Sequence, residues 1–158
     1  MAIVITSTAF KEGDDIPTQF TCDGANISPP LSWSGVPQEA QSLVLLMDDP
    51  DAPGGVFTHW VLYDLPRDID GLPDDVPADE TLANGAHQAT NSFGNIGYGG
   101  PCPPPGDGTH HYNFTVYAVD VPSLGLRGDS RQALEEALQT HTLATARLTG
   151  EYKRGSRG

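Results

Sequence analysis

The clearest pattern along the chain is an alternation of period two from Tyr112 to Val119. Tyr112, Phe114, Val116 and Ala118 share one face, and Asn113, Thr115, Tyr117 and Val119 the other. That period is the signature of a strand. Carried back two residues, the alternation puts His110 on the face of Tyr112 and His111 on the opposite one. A nearly continuous apolar run, Gln41 to Met47, predicts a central strand, because only a strand covered on both faces is apolar throughout. It ends in the turn-forming DDPDAPGG, and a second strand is expected over Phe57 to Leu65. Asp49 and Asp51 therefore sit where one strand stops, and His59 near the start of the next.

Weaker patterns fill in the rest. Short strands are expected at Ile3 to Thr6 and Thr18 to Thr21, and ISPPLSW reads as an extended edge or coil ending in Trp33, a core or rim anchor. Residues 66 to 87 have no sustained period and read as a long surface connection. A short strand over Gln88 to Asn91 leads into SFGNIGYGG, whose glycines can present backbone N–H groups as an anion nest. Asp129 or Ser130 can cap a helix from Arg131 to Gln139, with Gln132 completing a capping box and Ala133, Leu134, Ala137 and Leu138 as its apolar stripe. Alternation from Leu143 to Tyr152 predicts a final strand. Many short strands, Gly/Pro-rich turns and one helix make a mainly β chain, a β-sandwich, and 158 residues suit one domain.

Charge narrows the partners. The net charge is −13, and lysine occurs only at Lys11 and Lys153. Such a surface repels nucleic acid and anionic membranes, so no nucleic acid and no stable membrane association are expected. It serves either solubility or a cytoplasm of high salt, where self-repulsion is screened. No apolar run reaches the roughly 20 residues of a membrane helix, and MAIVITSTAFKEGDD lacks the features of a signal peptide. A cytoplasmic protein is expected. Cys22 and Cys102 could form one bridge; free thiols are the preferred reading, because the cytosol is reducing.

DDPDAP, the His of FTHW and then GPCPPPGDGTHHY closely resemble the phosphatidylethanolamine-binding protein family, which includes the Raf kinase inhibitor proteins. The short spacing and TCDGANISPPLSW look like its bacterial and archaeal branch, and nearly the whole chain is covered. The resemblance implies a large central antiparallel sheet packed on a smaller one, with a peripheral helix. It also implies a small pocket for phosphate-type head groups. Its ligand-binding set would be Asp49, His59, Pro101, Cys102, His110 and Tyr112, with Asp51, Pro53, Phe57 and Gly100 around the rim. At Cys102 the sequence departs from animal members, which carry glycine. Relatives that inhibit kinases or serine proteases add such an enzyme as a protein partner.

The residue types agree with an anion pocket. Two histidines, a tyrosine hydroxyl and glycine-loop N–H groups supply donors without lysine or arginine. Asp49 then orients His59 or His110 and favours its protonated form, while Asp51 holds the DPDAP turn. A binding or regulatory protein without turnover or cofactor is the expectation, its ligand a phosphorylated metabolite, head group or phosphoprotein. Two enzymatic alternatives use the same residues. Asp49, His59 and His110 would satisfy a metal site of two histidines and one carboxylate, and Cys102 could be a nucleophile with a histidine base. Sandwich edges leave room for a homodimer.

Overall fold

The computed structural model describes residues 2–126 and 131–154. Strand β1 (Val4–Thr6) is followed by a 3₁₀ turn at Thr18–Phe20, then β2 (Leu31–Ser34), β3 (Ser42–Asp49), β4 (Phe57–Pro66), β5 (Gly71–Leu72), β6 (His87–Gln88), β7 (His110–Val119), helix α1 (Arg131–His141) and β8 (Thr142–Tyr152). These form two antiparallel sheets, a five-stranded one in the order β6-β4-β3-β7-β8 and a three-stranded one in the order β1-β2-β5.

Strand β3 lies at the centre of the large sheet, and both of its faces are covered. Leu43, Leu45 and Met47 point between the sheets, where they meet Phe114 and Val116 of β7, Trp60 and Leu62 of β4, and Leu31, Trp33 and Ile5 of the small sheet. Val44 and Leu46 point the other way and pack with Val61, Tyr63, Val119 and the helix residues Leu134 and Leu138. The unbroken apolar run and the helix stripe are thus two halves of one arrangement. Residues from Leu43 to Met47 are at most 1 % exposed, so each strongly favours the fold, at roughly 1.5–3 kcal/mol per side chain. Both indoles keep a partner: Trp60 Nε1 donates to Gln88 Oε1 at 2.7 Å and Trp33 Nε1 to the Ile69 carbonyl at 2.8 Å.

Strand β4 carries two irregularities that keep its side chains on the faces they need. Leu43 pairs with Leu65 and Leu45 with Leu62, so β4 holds an extra residue there. Asp64, at φ 59°, lies within that stretch, and its carboxylate receives Ser123 Oγ and the Leu124 N–H. The second extra residue is His59, since Met47 pairs with Trp60 and Asp48 with Thr58.

Several local expectations change. Thr18 to Thr21 is a turn, because the Phe20 and Thr21 N–H groups donate to the Pro17 and Thr18 carbonyls, and Thr21 Oγ1 bonds back to Thr18. The connection after residue 66 contributes β5, which closes the small sheet on β2. The strand expected over Gln88 to Asn91 is instead His87–Gln88, followed by an isolated bridge from Thr90 to Ile96, and buried Asn91 uses its side chain to shape the next loop. The proposed helix caps Asp129 and Ser130 lie outside the described residues.

The cysteines are bridged, contrary to the free-thiol reading. Cys22 and Cys102 form a disulfide with Cα atoms 5.4 Å apart. Compartment chemistry was the ground for expecting thiols, but the loop geometry puts the two side by side. The Cys22 N–H donates to the Pro101 carbonyl at 3.1 Å, and the Gly100 N–H to Asn26 Oδ1 at 2.8 Å, so the coil before β7 is docked on the 22–26 loop. The bridge spans 80 residues of sequence, a long loop to restrict in the unfolded chain. Replacing both cysteines by serine should lower the unfolding free energy by about 2–4 kcal/mol in urea titrations. A midpoint insensitive to both the substitution and added reductant would contradict the bridge.

Candidate functional site

The inner face of the large sheet runs out of apolar residues at one end. On β3 the series Leu43, Leu45, Met47 continues as Asp49, and on β7 the series Val116, Phe114 continues as Tyr112 and His110. All three polar side chains remain buried, Asp49 at 3 %, Tyr112 at 0 % and His110 at 2 % exposure. From β4, on the other side of β3, His59 joins them. As the bulged residue it lacks a β3 partner, and its backbone carbonyl accepts the Gly99 N–H at 3.0 Å. Its ring lies edge-on to Tyr112, with centroids 5.2 Å apart.

These four side chains enclose a cavity of about 210 Å³. Its remaining walls are Ala52, Pro53, Phe57, Phe93, Cys102, Pro103 and Pro104. The expected residues Asp49, His59, Cys102, His110 and Tyr112 meet there, with Pro53 and Phe57 beside them. Asp51, Gly100 and Pro101 are outside the lining. Gly100 and Pro101 instead secure the cavity wall through their bonds to Asn26 and Cys22. Phe93 was not anticipated; it is 45 % exposed and packs edge-on against Phe57 and His59. Asp107 was also missed, although it lies inside the GPCPPPGDGTHHY motif.

The two histidines are held in opposite states. His110 Nδ1 lies 2.6 Å from Asp49 Oδ2, and Nε2 lies 2.6 Å from Asp107 Oδ2. Carboxylates only accept, so the arrangement favours a proton on both ring nitrogens, the imidazolium form. Burial opposes that charge, but the bonds to Asp49 and Asp107 outweigh it and raise the pKa above the ordinary histidine value. His59 donates Nδ1–H to the Gly99 carbonyl at 2.6 Å, which leaves Nε2 as an acceptor when the ring is neutral. Burial dominates there and lowers its pKa. The Tyr112 hydroxyl is buried and meets no partner in hydrogen-bond geometry among the described residues, although the Asp49 carboxylate lies close enough to act on it. Its phenol is pushed well above the ordinary range, by burial first and then by the nearby Asp49 carboxylate.

Asp49 has a second task. Its Oδ1 accepts the Asp51 N–H at 2.8 Å, so Asp49 rather than Asp51 ties the turn after β3. Asp51 reaches outward to the His111 N–H and Nδ1, both at 2.8 Å, which lowers its pKa, with the side-chain bond to His111 the leading cause. The glycine loop does not form the expected anion nest. Its Gly97, Gly99 and Gly100 N–H groups are spent on the Ala89 carbonyl, the His59 carbonyl and Asn26.

Of the groups the enzymatic alternatives call on, His110 has both ring nitrogens beside carboxylates, and the described residues contain no cluster of three or more His, Cys, Asp or Glu able to hold a metal. Cys102 is in a disulfide and is not a thiolate.

A two-sheet β protein with a small, open-mouthed cavity at the polar end of its core is the class that fold and site define. The chain belongs to the phosphatidylethanolamine-binding protein family, whose profile matches residues 6–153. A UPF0098 protein of Methanothermobacter thermautotrophicus is 49 % identical over 147 residues, 93 % of this chain and 96 % of that protein. Among solved structures, Escherichia coli YbcL aligns with a TM-score of 0.90 at 36 % identity, covering 97 % of this chain and 99 % of its own. The Chlamydia trachomatis homologue CT736 aligns at 0.86 and 42 %, covering 97 % and 98 %. No helix among the described residues is long and apolar enough to cross a membrane.

Two measurements follow from this geometry. In an NMR titration the His59 ring should titrate below about 6.5 and the His110 ring above it. For His110 the stabilisation is complete below the unfolded value and is lost as pH rises through its raised midpoint; for His59 it is complete above that value and lost as pH falls through its lowered one. Their joint contribution should therefore peak near pH ~6.5. Separately, a Cβ at Gly100 would collide with the Phe20 carbonyl and Asn26 Oδ1. Gly100→Ala should cost about 2 kcal/mol or more by undocking the coil, read as a lowered denaturation midpoint.

Proposed function

We propose that this protein is a non-catalytic binding or regulatory protein whose cavity takes a phosphate-type oxyanion carried on a small apolar group. The observation that carries this reading is the buried, unpartnered Tyr112 hydroxyl beside the His110 imidazolium. A buried hydroxyl left without a partner costs about 1–3 kcal/mol, which a ligand oxygen accepting its proton would recover. His59 Nε2 becomes a second donor once the ring takes up a proton, which an incoming anion favours. The walls of Pro53, Phe57, Phe93, Pro103 and Pro104 suit an organic substituent more than a bare ion. At about 210 Å³ the space fits a head group or small phosphorylated metabolite rather than a drug-sized molecule.

The test is calorimetry with phosphoethanolamine. Tyr112→Phe should fold at least as stably as the parent, since it removes an unpaired polar atom, while affinity drops about tenfold. Affinity should also rise as pH falls from 8 toward 6, with net proton uptake at His59 revealed by buffers of different ionisation enthalpy. Unchanged affinity in Tyr112→Phe would remove the observation on which the reading stands.

A further inference from the structure

The carboxylate of Asp107 occupies the Nε2 side of His110, and it differs from Asp49 in every respect that governs mobility. Asp49 is 4 % exposed in its side chain, belongs to the central strand and also binds the Asp51 N–H. Asp107 is 38 % exposed and belongs to the coil between Pro104 and His110, every residue of which before His110 is exposed. Backbone bonds hold that coil only loosely. The Asp107 N–H donates to the Pro104 carbonyl at 3.1 Å and the Gly106 N–H to the Arg154 carbonyl at 3.3 Å, and a Cβ at Gly108 would meet open space. Among the described residues, His110 is the partner of the Asp107 carboxylate. Pro103 and Pro104, just before it, are cavity wall.

We propose that Asp107 is a resident competitor for the site, a carboxylate standing where one oxygen of the ligand would bind His110 Nε2, so that the cavity selects phosphate-type dianions over carboxylates. This rests on the oxyanion reading above. With Asp107 in place, Asp49, Asp107 and His110 carry a net single negative charge. A monocarboxylate replacing Asp107 exchanges like for like and must also be taken from water, so it gains nothing. A phosphate dianion brings one further negative charge, which a proton taken up by His59 balances, and has oxygens to spare for Tyr112 and His59. The displaced Asp107 side chain moves into water without uncovering core.

Titrations of inorganic phosphate and of acetate into the parent protein, Asp107→Ala and Asp107→Asn test this. The parent should bind phosphate at least ~10-fold more tightly than acetate. In Asp107→Ala both anions should bind more tightly, acetate gaining ~10-fold or more, so that the preference narrows. Asp107→Asn, which keeps an acceptor without the charge, should fall between them. The His110 ring should titrate lower in Asp107→Ala than in the parent, a change that loosening of a surface coil alone would not give. If the parent binds phosphate and the variants keep its affinities for both anions, the competitor role is overturned and the oxyanion reading stands. Binding of neither anion by any of the three proteins would overturn both.

Discussion

The structure depends on the double coverage of β3. A strand with no solvent face must be enclosed by a second sheet on one side and a helix on the other, and both layers here meet that demand. The same requirement produces the site. Side-chain direction along a strand alternates without regard to chemistry, so the positions after Met47 and beyond Phe114 stay interior even though they carry Asp49, Tyr112 and His110. Polar groups put at the end of a core have to satisfy one another or a ligand. His110 is satisfied by two carboxylates and His59 by a carbonyl, while the Tyr112 hydroxyl is left over.

The walls of the cavity come from coil, and coil has to be fixed by other means. One wall is held by the disulfide and by Asn26, the glycine-rich loop before it by the paired bonds between His59 and Gly99 and by Asn91. The acidic turn after β3 is tied by Asp49 and braced by Asp51 on His111. The segment carrying Asp107 lacks comparable fastening. The cavity therefore combines rigid walls with one lightly held side, a division that sets where change on ligand entry is cheapest.

Much of this arrangement was legible in the sequence. The period of β7 correctly separated buried His110 from exposed His111, and the apolar run of β3 placed Asp49 at a strand's end. What could not be read were features made by contact between distant segments. The bridge between Cys22 and Cys102 depends on how two coils dock, and composition pointed the other way. The loss of the expected anion nest has the same origin, because free backbone N–H groups can be counted in a sequence but their partners cannot. Asp107 stood in a motif already singled out, yet a single aspartate among glycines has no periodicity to reveal what it touches.

The bulge at His59 places different limits on two adjacent stretches of the chain. Residues 50 to 56 form a turn outside the ladder, and their number can change while both strands keep their pairing. Between Thr58 and Trp60 the count itself carries information. Deleting Thr58 would restore regular pairing with His59 opposite Asp48, on the outer face, taking the imidazole out of the cavity although every other residue of the strand remained. Length is free to drift in the turn, and in this part of β4 it is as much a part of the site as the histidine itself.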